Sequence, residues 1–181
     1  QPRIYLYNHQ NSLDLFLIQG YLHIPSITTA GLHLSWIFPF FSLSALNAGH
    51  VLMNHMDPFS RGSSVHRASD VIRKYGKILI APNGSLKTSI LQRVSASALV
   101  LAKKHQAVIV PLVFSYSNLE ICEKDFYNPL VILLRRLPAP NAKIECRVGL
   151  PTDLDCPADC RDREGFRRAV QAYYREQKES G

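Results

Sequence analysis

Asn8, His9, Gln10, Asn11, Ser12, Leu13 and Asp14 carry the residue types from which a general base is built. An imidazole that takes a proton from a hydroxyl needs one ring nitrogen free. A carboxylate accepting the N–H of the other fixes the tautomer and steadies the imidazolium as it forms. Asp14 follows His9 by five positions and can fold back to supply that carboxylate if the loop is tight. No serine or cysteine nucleophile is needed, because a substrate hydroxyl can be the group His9 activates. The same two residues also fit a plainer arrangement, a loop histidine and an acid that complements a helix dipole, and spacing alone favours the plainer one.

The elements that would hold this pair are legible on either side. Arg3-Ile4-Tyr5-Leu6-Tyr7 is β-branched and aromatic and predicts a strand, while Leu15-Phe16-Leu17-Ile18 predicts the body of a helix. Ser12 is a suitable N-cap, which puts His9 in a strand-to-helix loop and Asp14 in the first helical turn, with the helix running to about Leu22 before Pro25. Further strands are expected at 26–30, 49–53, 77–81 and 108–114, and a half-exposed strand at 142–148. Pro111 inside the fourth of these predicts an edge position, a bulge or a bend. Ser60 to Ser64 predicts a loop, with Ser64 capping an amphipathic helix over 65–75 and Gly76 ending it. Arg67, Arg73 and Lys74 on that helix are expected to be solvated charges. Helices are also expected at 95–104 and 162–178, the last with Phe166, Ala169, Val170 and Tyr173 as its inner stripe. The pattern predicts one α/β domain with a mostly parallel central sheet flanked by helices. In such sheets ligands gather beyond the carboxyl ends of strands, where His9, His55 and Asn83 would fall.

Leu32 to Leu43 is nearly uncharged and holds Trp36, Phe38, Phe40 and Phe41. It fits a buried packing segment, and equally a wall of an apolar pocket or a surface that rests on a membrane. The chain of 181 residues is 46% hydrophobic, enough for a substantial core, and 21 Lys and Arg against 14 Asp and Glu give +7. That excess favours anionic partners without choosing among phospholipid headgroups, coenzyme A phosphates, an acidic carrier protein and nucleic acid. Nucleic-acid binding is set aside because no recognition module accompanies the charge. Cys122, Cys146, Cys156 and Cys160 lack paired metal-ligand spacing, so no metal site is expected; Cys156 and Cys160 are close enough for a local disulfide, and free thiols in a reducing compartment are favoured over it. No apolar run reaches the roughly 20 residues of a membrane span.

The stretch Asn8-His9 to Asp14 resembles the N-H-x-x-x-x-D block of the glycerolipid acyltransferases, whose best-known members are the 1-acylglycerol-3-phosphate acyltransferases. Three further blocks follow in the family's order. Gly49-His50-Val51-Leu52-Met53-Asn54-His55 resembles the second, Ala81-Pro82-Asn83-Gly84-Ser85 is similar to F-P-E-G-T, and Val108-Ile109-Val110-Pro111-Leu112 is similar to I-V-P-V. The resemblance implies a single acyltransferase-like domain over 1–181 that lacks an N-terminal membrane-associated helical segment. It implies transfer of a fatty acyl group from acyl-CoA or acyl-ACP, a co-substrate rather than a bound cofactor, to a hydroxyl of a lysophospholipid or related acceptor. His9 would be the base and Asp14 its partner, with Asn54, His55, Asn83, Gly84, Ser85 and Arg61 at the acceptor. The Trp36–Phe41 stretch would line the acyl pocket or meet the membrane. A membrane-associated protein facing the cytoplasm is implied as well.

Two blocks depart from the family pattern. The arginine that closes the second block, which in the family holds the acceptor's phosphate, is His55 here, preceded by Asn54. The acid of the third is Asn83, and the phenylalanine before its proline is Ala81. Neutral histidine and asparagine offer single hydrogen bonds where arginine offers a charged fork, a difference of about 1.5–3 kcal/mol if nothing replaces it. Either the acceptor carries no phosphomonoester there, or Arg61, Arg67, Lys87 or a protonated His55 holds the anion. The competing reading is a catalytically impaired relative that binds lipid or protein.

Overall fold

The computed structural model of the protein describes residues 1–8, 22–28, 43, 46–47, 49–53, 57–82, 94–116, 144–150 and 163–179. In chain order these hold β1 (Arg3–Tyr7), β2 (Ile27–Thr28), β3 (Val51–Leu52), α1 (Pro58–Tyr75), β4 (Lys77–Ile80), α2 (Ser97–His105), β5 (Val108–Tyr116), β6 (Ile144–Val148) and α3 (Arg163–Glu179). The main sheet has the order β4-β1-β5-β6, parallel except for β6. The parallel pair β2-β3 joins the β4 edge through a parallel bridge between Ser26 and Leu79, where the Leu79 N–H donates to the Pro25 carbonyl at 2.8 Å. The expected α/β architecture, mostly parallel, is therefore present.

The alternation of the strands sorts the core into two sides. Ile4 and Leu6 of β1 and Ile78 and Ile80 of β4 are buried in one cluster with Ala68 and Ile72 of α1, Ala98 and Leu101 of α2, and Phe166 and Val170 of α3. The three described helices thus share one face of the sheet. Tyr7, Leu79, Leu112 and Phe114 point the other way and pack with Ile24. A strand buried on both faces must be apolar throughout, which is why 77–81 and 108–114 read as continuous apolar runs. The inner stripe of α3 is buried as expected at Phe166, Val170 and Tyr173, and Tyr174 joins it.

Three local expectations are corrected. The segment 60–64 is helical, because α1 starts at Pro58, whose fixed φ suits the first helical position, and is capped by Asp57, whose carboxylate accepts the Phe59 N–H at 2.9 Å. Ser64 is therefore an interior residue, buried, with its hydroxyl on the Met53 sulfur at 3.2 Å. Pro111 lies in an interior strand, opposite Leu6 of β1 and without a break in register. Its carbonyl accepts the Gly149 N–H at 2.8 Å, just past the end of the β5–β6 ladder at Leu112–Val148. A strand residue aims its N–H and C=O at the same neighbour, so the donor that proline lacks would face this frayed end rather than β1. Finally, Glu145, Cys146, Arg147 and Val148 of β6 are all exposed, so the alternation of a half-exposed strand is absent from β6, the last strand of the sheet among the described residues.

Gly76 ends α1 as expected, in the left-handed region at φ +66° with its N–H on the Ile72 carbonyl at 2.8 Å. Gly49 precedes β3 at φ +82°, and a Cβ there would stand 2.9 Å from the Tyr75 ring, so both backbone and space call for glycine. The expected helix from Leu13 lies outside the described residues up to position 21, as do the segments 32–42 and 117–143.

Candidate active site

β1 leads directly into the first chemical block; a buried amide closes its end, and a buried hydroxyl from α3 ties its middle to that helix. Asn8 is 4% exposed; its amide nitrogen donates to the Phe114 carbonyl at 2.9 Å and its amide oxygen accepts the Phe114 N–H at 2.6 Å. One step back, the Tyr174 hydroxyl of α3 donates to the Leu6 carbonyl at 2.8 Å and lies 3.4 Å from that of Leu112. Burial, reinforced by Tyr173, pushes the Tyr174 phenol well above its ordinary pKa, so it stays a neutral donor. Tyr7 meets Phe114 edge to face at 6.1 Å on the opposite side of the sheet.

The second block runs along β3 and the third leaves β4. Because β1 to β5 are mutually parallel, Asn8, Met53 and Pro82 leave their strands toward the same end of the sheet. Side chains of α1 hold the β3 exit: Ser64 on the Met53 sulfur, and the Arg67 guanidinium on the Leu52 carbonyl at 3.0 Å. Beyond Pro82, the Ser95 N–H returns to the Pro82 carbonyl at 2.7 Å, and Arg167 of α3 donates to the Val94 carbonyl at 3.0 Å.

His50 sits at the opposite end of β3. It is 5% exposed, and its Nδ1 accepts the Ser26 N–H at 3.0 Å with the Ser26 hydroxyl at 2.8 Å. A backbone donor leaves Nδ1 unprotonated, so the ring is neutral with its proton on Nε2, in accord with a pKa lowered by burial. His50 pins β2 to β3.

Of the expected site residues, Arg61 lies within α1 on the backbone, its side chain outside the description. His9, Asp14, Asn54, His55, Asn83, Gly84, Ser85, Trp36, Phe38, Phe40 and Phe41 lie outside the described residues. Arg67, Arg73 and Lys74 are exposed as expected; Arg67 also donates to β3, Arg73 pairs with Asp70, and the Lys74 ammonium stands 5.0 Å from the Tyr75 ring centre. Arg3, Arg73, Lys74, Lys77, Lys103 and Lys104 all fall at the amino ends of the strands or in the last turns of α1 and α2, away from the end Asn8 faces. Arg73 and Lys104 both help to lower the pKa of His105, after its desolvation. These six cations are thus remote from the block exits. Among the described residues no group of three His, Cys, Asp or Glu could hold a metal, no helix is long and apolar enough to cross a membrane, and Cys146 is a free, exposed thiol.

Sequence reasoning assigned no role to Asn8 or Tyr174. Asn8 could have been suspected, since a polar amide at the end of a buried strand must find partners. Nothing local marks Tyr174, whose acceptor Leu6 is 168 positions away.

In parallel α/β sheets ligands gather beyond the carboxyl ends of the strands, which is the end at which β1, β3 and β4 finish here. A family model described as Acyltransferase matches residues 1–115, which takes in every element from β1 through α2 and nearly all of β5. The chain belongs to the acyltransferase family, with a domain of the 1-acylglycerol-3-phosphate O-acyltransferase type. No curated protein and no solved structure gives a significant match. β6 and α3, with Tyr174, lie beyond the matched residues.

Proposed function

We propose that the protein is an O-acyltransferase that moves a fatty acyl group from an acyl thioester, acyl-CoA or acyl-ACP, to a hydroxyl of a lysophospholipid or related lipid. His9 takes the acceptor's proton, and the oxygen attacks the thioester carbonyl. The new C–O bond forms as the C–S bond breaks, and the thiolate leaves with the proton returned by the imidazolium. Asp14 orients the ring and steadies its charge. Backbone N–H groups at Asn83-Gly84-Ser85 are the donors proposed for the developing oxyanion. Membership of a family of acyl-transferring domains supports transfer, and the intact His9–Asp14 spacing supports catalysis over the reading of an inert relative.

The observation that carries the reading is the common end at which the block-bearing parallel strands finish. An anionic acceptor group beside β3 would meet Arg67, anchored on Leu52, in place of the arginine that the second block lacks. A membrane surface as source of the acceptor, reached from the cytoplasmic side, belongs to the same proposal, with Trp36, Phe38, Phe40 and Phe41 toward lipid or acyl chain. Release of free thiol from palmitoyl-CoA in the presence of a panel of lysophospholipids tests it. Turnover is expected for the wild type and none above background for His9→Ala of unchanged fold; undiminished turnover in that variant removes His9 as the base.

A further inference from the structure

We infer that Asn8 is a positioning residue of the site, whose side-chain amide closes the β1–β5 ladder and thereby aims His9. The inference rests on the reading of His9 as base. In parallel pairing Leu112, opposite Tyr7, directs its N–H and C=O at β1, and Phe114, two residues on, does the same. A continuing strand would meet Phe114 with the Asn8 carbonyl and the N–H of residue 10. The Asn8 amide takes both places instead, with bonds of 2.6 and 2.9 Å.

Phe114 is thereby satisfied by one side chain, which takes the next pairing position that β5 offers after Leu112. The β1–β5 ladder is therefore closed at Asn8, the residue before His9 in the chain, by two buried bonds. The amide is specific to this task. Aspartate would set a carboxylate against the Phe114 carbonyl with no proton to give, glutamine is one methylene too long for the same pair, and leucine leaves both Phe114 groups unpaired. Asparagine has a peptide's donor and acceptor on the shortest stem.

The test compares Asn8→Ala, Asn8→Ser, His9→Ala and Tyr174→Phe in the thiol-release assay, with folding followed by circular dichroism. Asn8→Ala is expected to lower kcat by 10- to 100-fold with KM within about twofold, the cost of displacing a catalytic group by about an ångström. Asn8→Ser, less disruptive, is expected to fall between it and wild type. Tyr174→Phe deletes a buried bond from the same strand pair, one step further from His9, and is expected to lower Tm with kcat unchanged. The NMR titration midpoint of the His9 ring, assigned by its absence in His9→Ala, is expected to differ between wild type and Asn8→Ala as the ring loses Asp14. A wild-type kcat and His9 titration in folded Asn8→Ala, or equal loss of kcat in Asn8→Ala and Tyr174→Phe, overturns the inference. Turnover in His9→Ala instead overturns the reading beneath it.

Discussion

Replacing Tyr174 by phenylalanine removes one oxygen from the interior and tests how α3 is joined to the sheet. The hydroxyl makes one good bond, 2.8 Å to Leu6, and a longer contact of 3.4 Å to Leu112. A buried hydrogen bond contributes about 0.5–1.5 kcal/mol net, and the long contact adds little. Neither carbonyl is orphaned by the change, since Leu6 and Leu112 lie within the paired segment of β1 and β5 and the parallel register gives them ladder partners. The ring stays in contact with Tyr173, 5.3 Å between centroids. The expected loss is therefore about 1–1.5 kcal/mol, which for a chain of this size lowers Tm by roughly 2–6 °C. Urea denaturation followed by far-ultraviolet circular dichroism measures it, with the m-value unchanged. An unaltered midpoint would mean that the hydroxyl does not hold the helix to the strands. A loss above roughly 3 kcal/mol would mean that the two carbonyls depend on it, contrary to the register.

Two further outcomes follow from buried groups. His50 is held neutral, its folded pKa below that of the unfolded chain, so its contribution to stability is full above about pH 6.5 and declines as pH falls below that value. Denaturation midpoints between pH 5 and 8 are expected to drop on the acid side, and a His50→Gln variant to lose that part of the slope; an identical slope refutes the assignment. Gly49→Ala strains a backbone at φ +82° and crowds the Tyr75 ring at 2.9 Å, though a ring 40% exposed can swing aside. The expected cost is about 1–2 kcal/mol, mostly from the backbone, and a midpoint within error of wild type would refute it.

Local chemistry carried the elements. The β-branched and aromatic run Arg3–Tyr7, the continuous apolar run of 77–80 and the left-handed stop at Gly76 each depend on neighbours in the chain, and each appears where its residues predict it. The start of α1 was misplaced because Ser64 and Asp57 are both competent caps, and Pro58 favours the earlier one. Pro111 was misjudged because a proline's tolerance depends on which neighbour its missing donor faces, and that neighbour, near Gly149, is remote in sequence. Of the candidate site, the identity of the blocks was legible while their settings were not. Ser64 and Arg67 gripping the β3 exit, and His50 pinning β2 to β3, join side chains across elements that no spacing relates.

What the chain's order alone determined is the inventory: a histidine and an acid five apart after a strand, four blocks in a family's order, and strands buried enough to be parallel. What only the folded arrangement decided is where those strands end and what holds their ends. Asn8 closes a ladder with Phe114 at a separation of 106 positions, and Tyr174 reaches Leu6 across 168. Such bonds obey the satisfaction of buried donors and acceptors, which dictates that partners exist and leaves their identity to the packing.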